Sequence, residues 1–226
     1  DPWLPKVVEQ MEACSKIIVA AIHGTALGGG FETAMACHYR CAVPSAKVGL
    51  PEVLLGLLAG ATGTQRLPRL IGVKDALDVM ISGAPMPAKV AHEHGAIDEI
   101  IDADLRAGAI AYAQRLAGEN APPRRISEIV IDSGSVPDGF FADYRKGMAR
   151  KTRGFFAPEQ IVRCVEAAVA KTYAESIKTE NELFMECMAS THSKAQRHLF
   201  FADREISKIP DVPKDTPTRN LKKIAI

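Results

Sequence analysis

A chain of 226 residues, 47% of them hydrophobic, is long enough for one domain with a real core, or one such domain with appendages. A formal net charge of +1 excludes a global field suited to nucleic acid or an anionic membrane surface. The five cysteines (Cys14, Cys37, Cys41, Cys164 and Cys187) include no CxxC pair, which argues against a structural zinc site and for reduced thiols in an intracellular protein.

Residues 3–15 place Leu4, Val7, Val8 and Met11 at helical spacing. KIIVAAIHG follows, a β-branched run that reads as a buried strand stopped by Gly24, and far too short to cross a bilayer. Three glycines, Gly28 to Gly30, then open a helix over FETAMACH. A second strand is expected at Tyr39–Val43, and KVGL at 47–50 reads as a short extended piece. GLLAGATGTQRLPRLIG reads as a glycine-rich turn feeding a helix that Thr62 or Thr64 caps and Gly72 ends. Helices are expected over 73–82, 87–94 and 103–118, with AIDEII as a short strand between the last two.

Past Gly118 the composition changes. Residues 119–157 read as a loop-rich insertion, and 158–205 as a helical cap region of three amphipathic segments. Residues 206–226, with prolines at 210, 213 and 217, read as a linker. Residues 1–118 form the α/β part.

Two constellations carry chemistry. In Gly28-Gly29-Gly30-Phe31-Glu32, glycines open a helix, so backbone N–H groups and the positive helix end suit an anion or a developing oxyanion. A tight strand-to-helix turn, with Glu32 favouring the helix dipole, explains the same residues. In Leu50-Pro51-Glu52-Val53, the acid stands among Val48, Leu50, Leu54 and Leu55; burial would raise its pKa to suit a general acid. An exposed acid at a helix start is the other reading. Gly60 and its neighbours could present further N–H groups. There is no Walker A lysine, no GxGxxG, no GxSxG and no HExxH. His23, His38, His192 and His198 read as structural or surface residues, and His92 and His94 do not share a helix face. The cluster Leu183, Phe184, Met185 and Met188 reads as core.

The stretch IVAAIHGTALGGGFETAMACHYRCAVPSAKVGLPEVLLGLLAGATGTQRLPRLIG resembles the core signature of the crotonase (enoyl-CoA hydratase/isomerase) superfamily, with weaker similarity over 73–103 and 158–204. The likeness extends to the hydratase/isomerase part of multifunctional β-oxidation enzymes fused to a 3-hydroxyacyl-CoA dehydrogenase; LFFADREISKIPDVP and RNLKKIAI look like the linker and the first strand of that next domain. The resemblance implies an α/β, crotonase-type ββα spiral core lacking its N-terminal strands, followed by a helical C-terminal region. It implies Glu32 and Glu52 as catalytic carboxylates, and the backbone N–H groups of Gly29 and Gly60 as oxyanion and water ligands. Glu32 would activate water at Cβ of an enoyl-CoA and Glu52 would deliver a proton to Cα; in isomerisation Glu52 would shuttle the proton. Acyl-CoA is then the substrate, with no metal, no redox cofactor and no NAD site in this chain. The partners implied are a linked dehydrogenase domain and no nucleic acid or membrane span, with an oligomer left open and the cytoplasm as location. Thr62 stands where the family has glycine, which would narrow or stiffen the turn. The loop supplying the second oxyanion N–H would precede residue 1, which leaves the segment short of a complete site. Thioester hydrolysis, decarboxylation or a non-catalytic assembly role are the competing readings.

Overall fold

The computed structural model describes residues 3–206 together with 212, 213 and 215–217. Helix α1 (Leu4–Glu12) leads into strand β1 (Val19–Ile22), a sharp bend at His23-Gly24, and strand β2 (Thr25–Leu27). Helix α2 (Gly29–Ala36) follows, then β3 (Tyr39–Ala42) and β4 (Lys47–Gly49). The chain thus repeats one unit: two short strands, then a helix. The first strands of the two units pair in parallel, Val19 opposite Tyr39 and Ile22 opposite Ala42. The second strands do the same in a different sheet, Thr25 opposite Lys47 and Leu27 opposite Gly49. Two three-stranded sheets result, in the orders β1-β3-β6 and β2-β4-β5. A strand that changes sheet at each bend is the turn of a spiral, which agrees with the architecture expected from the sequence.

The later strands are minimal. Strand β5 (Met86–Pro87) runs antiparallel to β4, and β6 (Glu99–Ile100) runs parallel to β3. Arg40, wholly buried in β3, donates to the carbonyls of Ala96 and Cys37 and faces Asp98, so a charged residue bolts β3 to the approach to β6. Helices α3 (Gly63–Ile71), α4 (Val73–Ser82), α5 (Ala88–Glu93) and α6 (Leu105–Gly118) lie where their apolar spacing places them. Strands β2 and β5 were not expected; three- and two-residue strands are too short to show a period of two.

Residues 119–157 hold two 3-10 turns, at 126–128 and 133–135, and helix α7 (Phe140–Met148). Three long helices close the described chain: α8 (Ala157–Ala170), α9 (Tyr173–Ala189) and α10 (Thr191–Ile206). The main core joins the sheets, α2, α3 and α4 to α8 and α9, through side chains such as Phe31, Met35, Leu67, Leu77, Ile161 and Leu183. The helical region is therefore packed into the α/β part. The five cysteines are free thiols, and Cys37, Cys41, Cys164 and Cys187 are buried. No helix among the described residues is long and apolar enough to cross a membrane. The dehydrogenase-like tail RNLKKIAI lies outside the described residues.

Candidate active site

Strands β2 and β4 are parallel neighbours, so their C-terminal ends open at the same edge. The crevice beyond such ends is where side chains and helix starts converge in parallel sheets. Leu27 and Gly49 are the paired last residues of the two strands, and the Gly28 N–H donates to the Gly49 carbonyl at 2.9 Å. Beyond β2 the chain turns into α2 and brings Glu32 into the first helical turn. Beyond β4, Pro51 starts a 3-10 turn over Glu52–Leu55 that carries Glu52. The register of two strands thus delivers both acids to one place.

Gly28 makes the approach feasible. Its φ of 56° is left-handed, and a Cβ there would lie 2.9 Å from Glu52 Oε1. Glu52 is held against bare backbone, with Oε2 buried and without a hydrogen-bond partner. Burial, with the nearby charge of Glu32, pushes its carboxyl up to about 8. The exposed-acid reading of Glu52 is set aside by this enclosure. Gly29 is the first residue of α2, and first-turn N–H groups have no acceptor within their helix.

Glu32 is 3% exposed, and its Oε1 accepts the N–H groups of Ala61 at 2.8 Å and Gly63 at 2.9 Å. A Cβ on Gly63 would lie 2.7 Å from that same oxygen, so glycine is needed for the contact. Burial pushes the Glu32 carboxyl above the usual carboxylate range, against the opposing pull of the two N–H groups and Arg66. Gly60, at the start of the loop, lies under the ring of Phe184; a Cβ would fall 2.5 Å from the ring edge. The structure therefore brings Glu32, Glu52, Gly29 and the Gly60–Gly63 loop together.

Thr62 departs from expectation. It holds the N-cap position of α3 with a φ of 78°, yet its side chain makes no capping bond. Its hydroxyl accepts from Arg66 Nε at 2.6 Å instead. Arg66 in turn forms a buried ion pair with Glu12 of α1. The cluster read as core divides: Leu183 is buried, Phe184 covers Gly60, and Met185 is 60% exposed. Its helical phase, with 183 and 185 on different faces, is the reason. His38 is wholly buried and joins Ile18 N–H to the Glu12 carbonyl, which fits its structural reading.

A further buried acid, not picked out from the sequence, reaches the Gly60–Gly63 loop. Glu180 of α9 is wholly buried; its Oε1 accepts the Thr62 N–H at 2.8 Å, and the Thr64 hydroxyl donates to its Oε2. The signal was available: Ser176, Glu180, Leu183 and Cys187 form the buried stripe of α9, and an acid on a buried stripe demands a partner. Among the described residues no group of three or more His, Cys, Asp or Glu could hold a metal ion. A cavity of about 790 Å³ opens nearby, lined by Trp3, Lys6, Glu12, Thr62, Arg66 and Tyr173 but by neither Glu32 nor Glu52.

Residues 4–130 match the family described as Enoyl-CoA hydratase/isomerase. The chain is 43% identical over 205 residues to the human (Homo sapiens) peroxisomal bifunctional enzyme, covering 91% of this chain and 28% of that protein. It is 36% identical over 226 residues to the fatty acid oxidation complex subunit alpha of Shewanella sp. (strain MR-4), covering 97% of this chain and 32% of that one. The chain thus spans less than a third of the length of these curated relatives. Among solved structures, carnitinyl-CoA hydratase from Mycobacterium avium superposes with a TM-score of 0.55 at 28% identity, covering 82% of this chain and 59% of that one.

Proposed function

Because the chain belongs to the enoyl-CoA hydratase/isomerase family, we propose that it carries out the reversible hydration of a trans-2-enoyl-CoA thioester, with Glu32 and Glu52 as its acid–base pair. The observation that carries this reading is the pairing of a buried carboxyl, Glu32, with a half-buried one, Glu52, in unlike settings. Glu32 is held by two backbone N–H groups, whereas Glu52 has a buried, unpartnered oxygen. The two N–H donors favour the charged form of Glu32, as a base needs, and the buried oxygen of Glu52 has no such donor. Glu32 takes a proton from water as the water oxygen bonds to Cβ. The carbon–carbon π pair moves toward the thioester oxygen, where the Gly29 N–H at the start of α2 receives the negative charge. Glu52, neutral below about pH 8, delivers its proton to Cα. The Gly60 N–H helps hold the water.

Isomerisation of a 3-enoyl to a 2-enoyl thioester uses the same enolate, with Glu52 as shuttle; the partner-free oxygen of Glu52 favours it as the group that moves a proton between carbons. The scheme draws on acyl-CoA alone, without a metal or redox cofactor. In the same reading the chain is one part of a longer enzyme linked to a dehydrogenase domain, consistent with relatives named as a bifunctional enzyme and an oxidation complex subunit. A cytoplasmic location accords with the bacterial relatives, although the human relative is named peroxisomal.

The test is hydration of a short trans-2-enoyl-CoA by the full polypeptide carrying this chain, followed by loss of the conjugated enoyl absorbance. Glu32→Gln and Glu52→Gln are each expected to lower kcat by about 100- to 10,000-fold with the fold retained. Wild-type rates in either folded variant would remove that residue from the scheme.

A further inference from the structure

The N–H groups of three successive residues divide between two acids. Those of Ala61 and Gly63 point to Glu32 Oε1, and that of Thr62, between them, points to Glu180 Oε1. The loop is gripped alternately from two sides by carboxyls that are 3% and 0% exposed. Glu180 also holds the Thr64 hydroxyl, and Phe184, one helical turn further along α9, closes over Gly60. Helix α9 therefore touches the loop at its start, its middle and its exit into α3. Thr62 sits at a φ of 78°, a left-handed conformation unfavourable for an L-residue, so the loop needs an external anchor to keep it.

We propose that Glu180 is a positioning residue of this site: by anchoring the Thr62 N–H it fixes the 60–63 loop, and through that loop the place of the Glu32 carboxyl. The inference rests on the acid–base reading above. Its chemistry is specific. Burial, and the charge of Glu32, push Glu180 up to about 8 although the Thr64 hydrogen bond opposes this, so near neutral pH it serves as a neutral anchor. A glutamine keeps the oxygen that accepts from the Thr62 N–H, and places an amide N–H facing the Thr64 oxygen where Glu180 receives the Thr64 hydroxyl. A methionine fills the same space and offers Thr62 no oxygen.

The experiment compares Glu180→Gln and Glu180→Met with the parent, each in the full polypeptide carrying this chain, by three readouts: hydration kinetics, thermal unfolding and the carbon-13 resonance of the Glu32 carboxyl across pH. Glu180→Gln is expected to keep kcat and the Glu32 titration near those of the parent. Glu180→Met is expected to lose on the order of 100-fold in kcat, the loss that a misplacement of about 1 Å brings, with KM little changed and the Glu32 titration displaced. Parental kcat in folded Glu180→Met, or a change confined to KM, would overturn the proposal. Equal losses in both variants would overturn it too, because the anchor oxygen would then not be what matters. If the parent itself hydrates no enoyl-CoA, the hydratase reading falls, and the Glu32 resonance alone decides: an unmoved titration in Glu180→Met sinks the positioning role, and a displaced one sustains it.

Discussion

Gly28 is where backbone conformation and site chemistry meet. A methyl group there would need a left-handed residue and would press on Glu52 Oε1 at 2.9 Å. Gly28→Ala is expected to lower stability by about 1–2 kcal/mol and to depress hydration, read by thermal unfolding and by kcat. Glu52 also predicts a pH dependence. The proposed acid must be protonated, so kcat is expected to fall as pH rises through about 8, and Glu52→Gln should abolish that limb. The same raised carboxyl makes the folded state bind a proton more tightly than the unfolded state between the ordinary carboxylate value and about 8. Its linkage therefore erodes stability as pH rises through that window. Both acids could be picked from the sequence, since each follows a strand end and stands beside glycine or proline. Their contrast could not, because it depends on which N–H groups reach which oxygen. Glu180 escaped notice because 118 residues separate it from the amide it anchors.

At the scale of elements, helices were more legible than strands. Helices α8, α9 and α10 carry apolar residues at helical spacing over 14, 17 and 16 residues, enough for the period to show. Strand β2 has three residues and no pattern; only its pairing with β4 makes it a strand. Helix α7 likewise owes its place to contacts outside itself. Arg145 donates to both oxygens of Glu166 and to the carboxyl of Glu159, tying α7 to α8, while Phe140, Phe141 and Tyr144 pack on the core. These groups are about a third exposed, so the bridge is worth roughly 1 kcal/mol. Arg145→Ala is expected to raise amide hydrogen exchange across 140–148 while leaving hydration intact. Loss of hydration in that variant would show that α7 reaches the site.

Across the whole molecule, one buried network ties the first helix to the last turns before the helical region. Glu12 of α1 pairs with Arg66 of α3 and accepts the Ser127 N–H at 3.0 Å; Arg66 holds the Thr62 hydroxyl. Burial alone would raise the Glu12 carboxyl, but Arg66 and Ser127 outweigh it and hold it below the usual carboxylate range. Its contribution is therefore present above the ordinary carboxylate value and lost as pH falls through the lowered one. Glu12→Gln leaves Arg66 buried without its counter-charge and is expected to cost about 3–5 kcal/mol, measured by denaturant unfolding near neutral pH. Glycine placement and helical period were enough to announce the strand–glycine–helix units and to mark Glu32 and Glu52 as candidates, and the stretch 18–72 carried the family resemblance, because each is written in residues close together along the chain. The pairing of β2 with β4, the left-handed turn at Thr62, the division of three amides between Glu32 and Glu180, and the elevation of Glu52 were decided only by the folded chain. Those features depend on burial and on contacts between residues far apart in order, and neither quantity exists before the chain closes on itself.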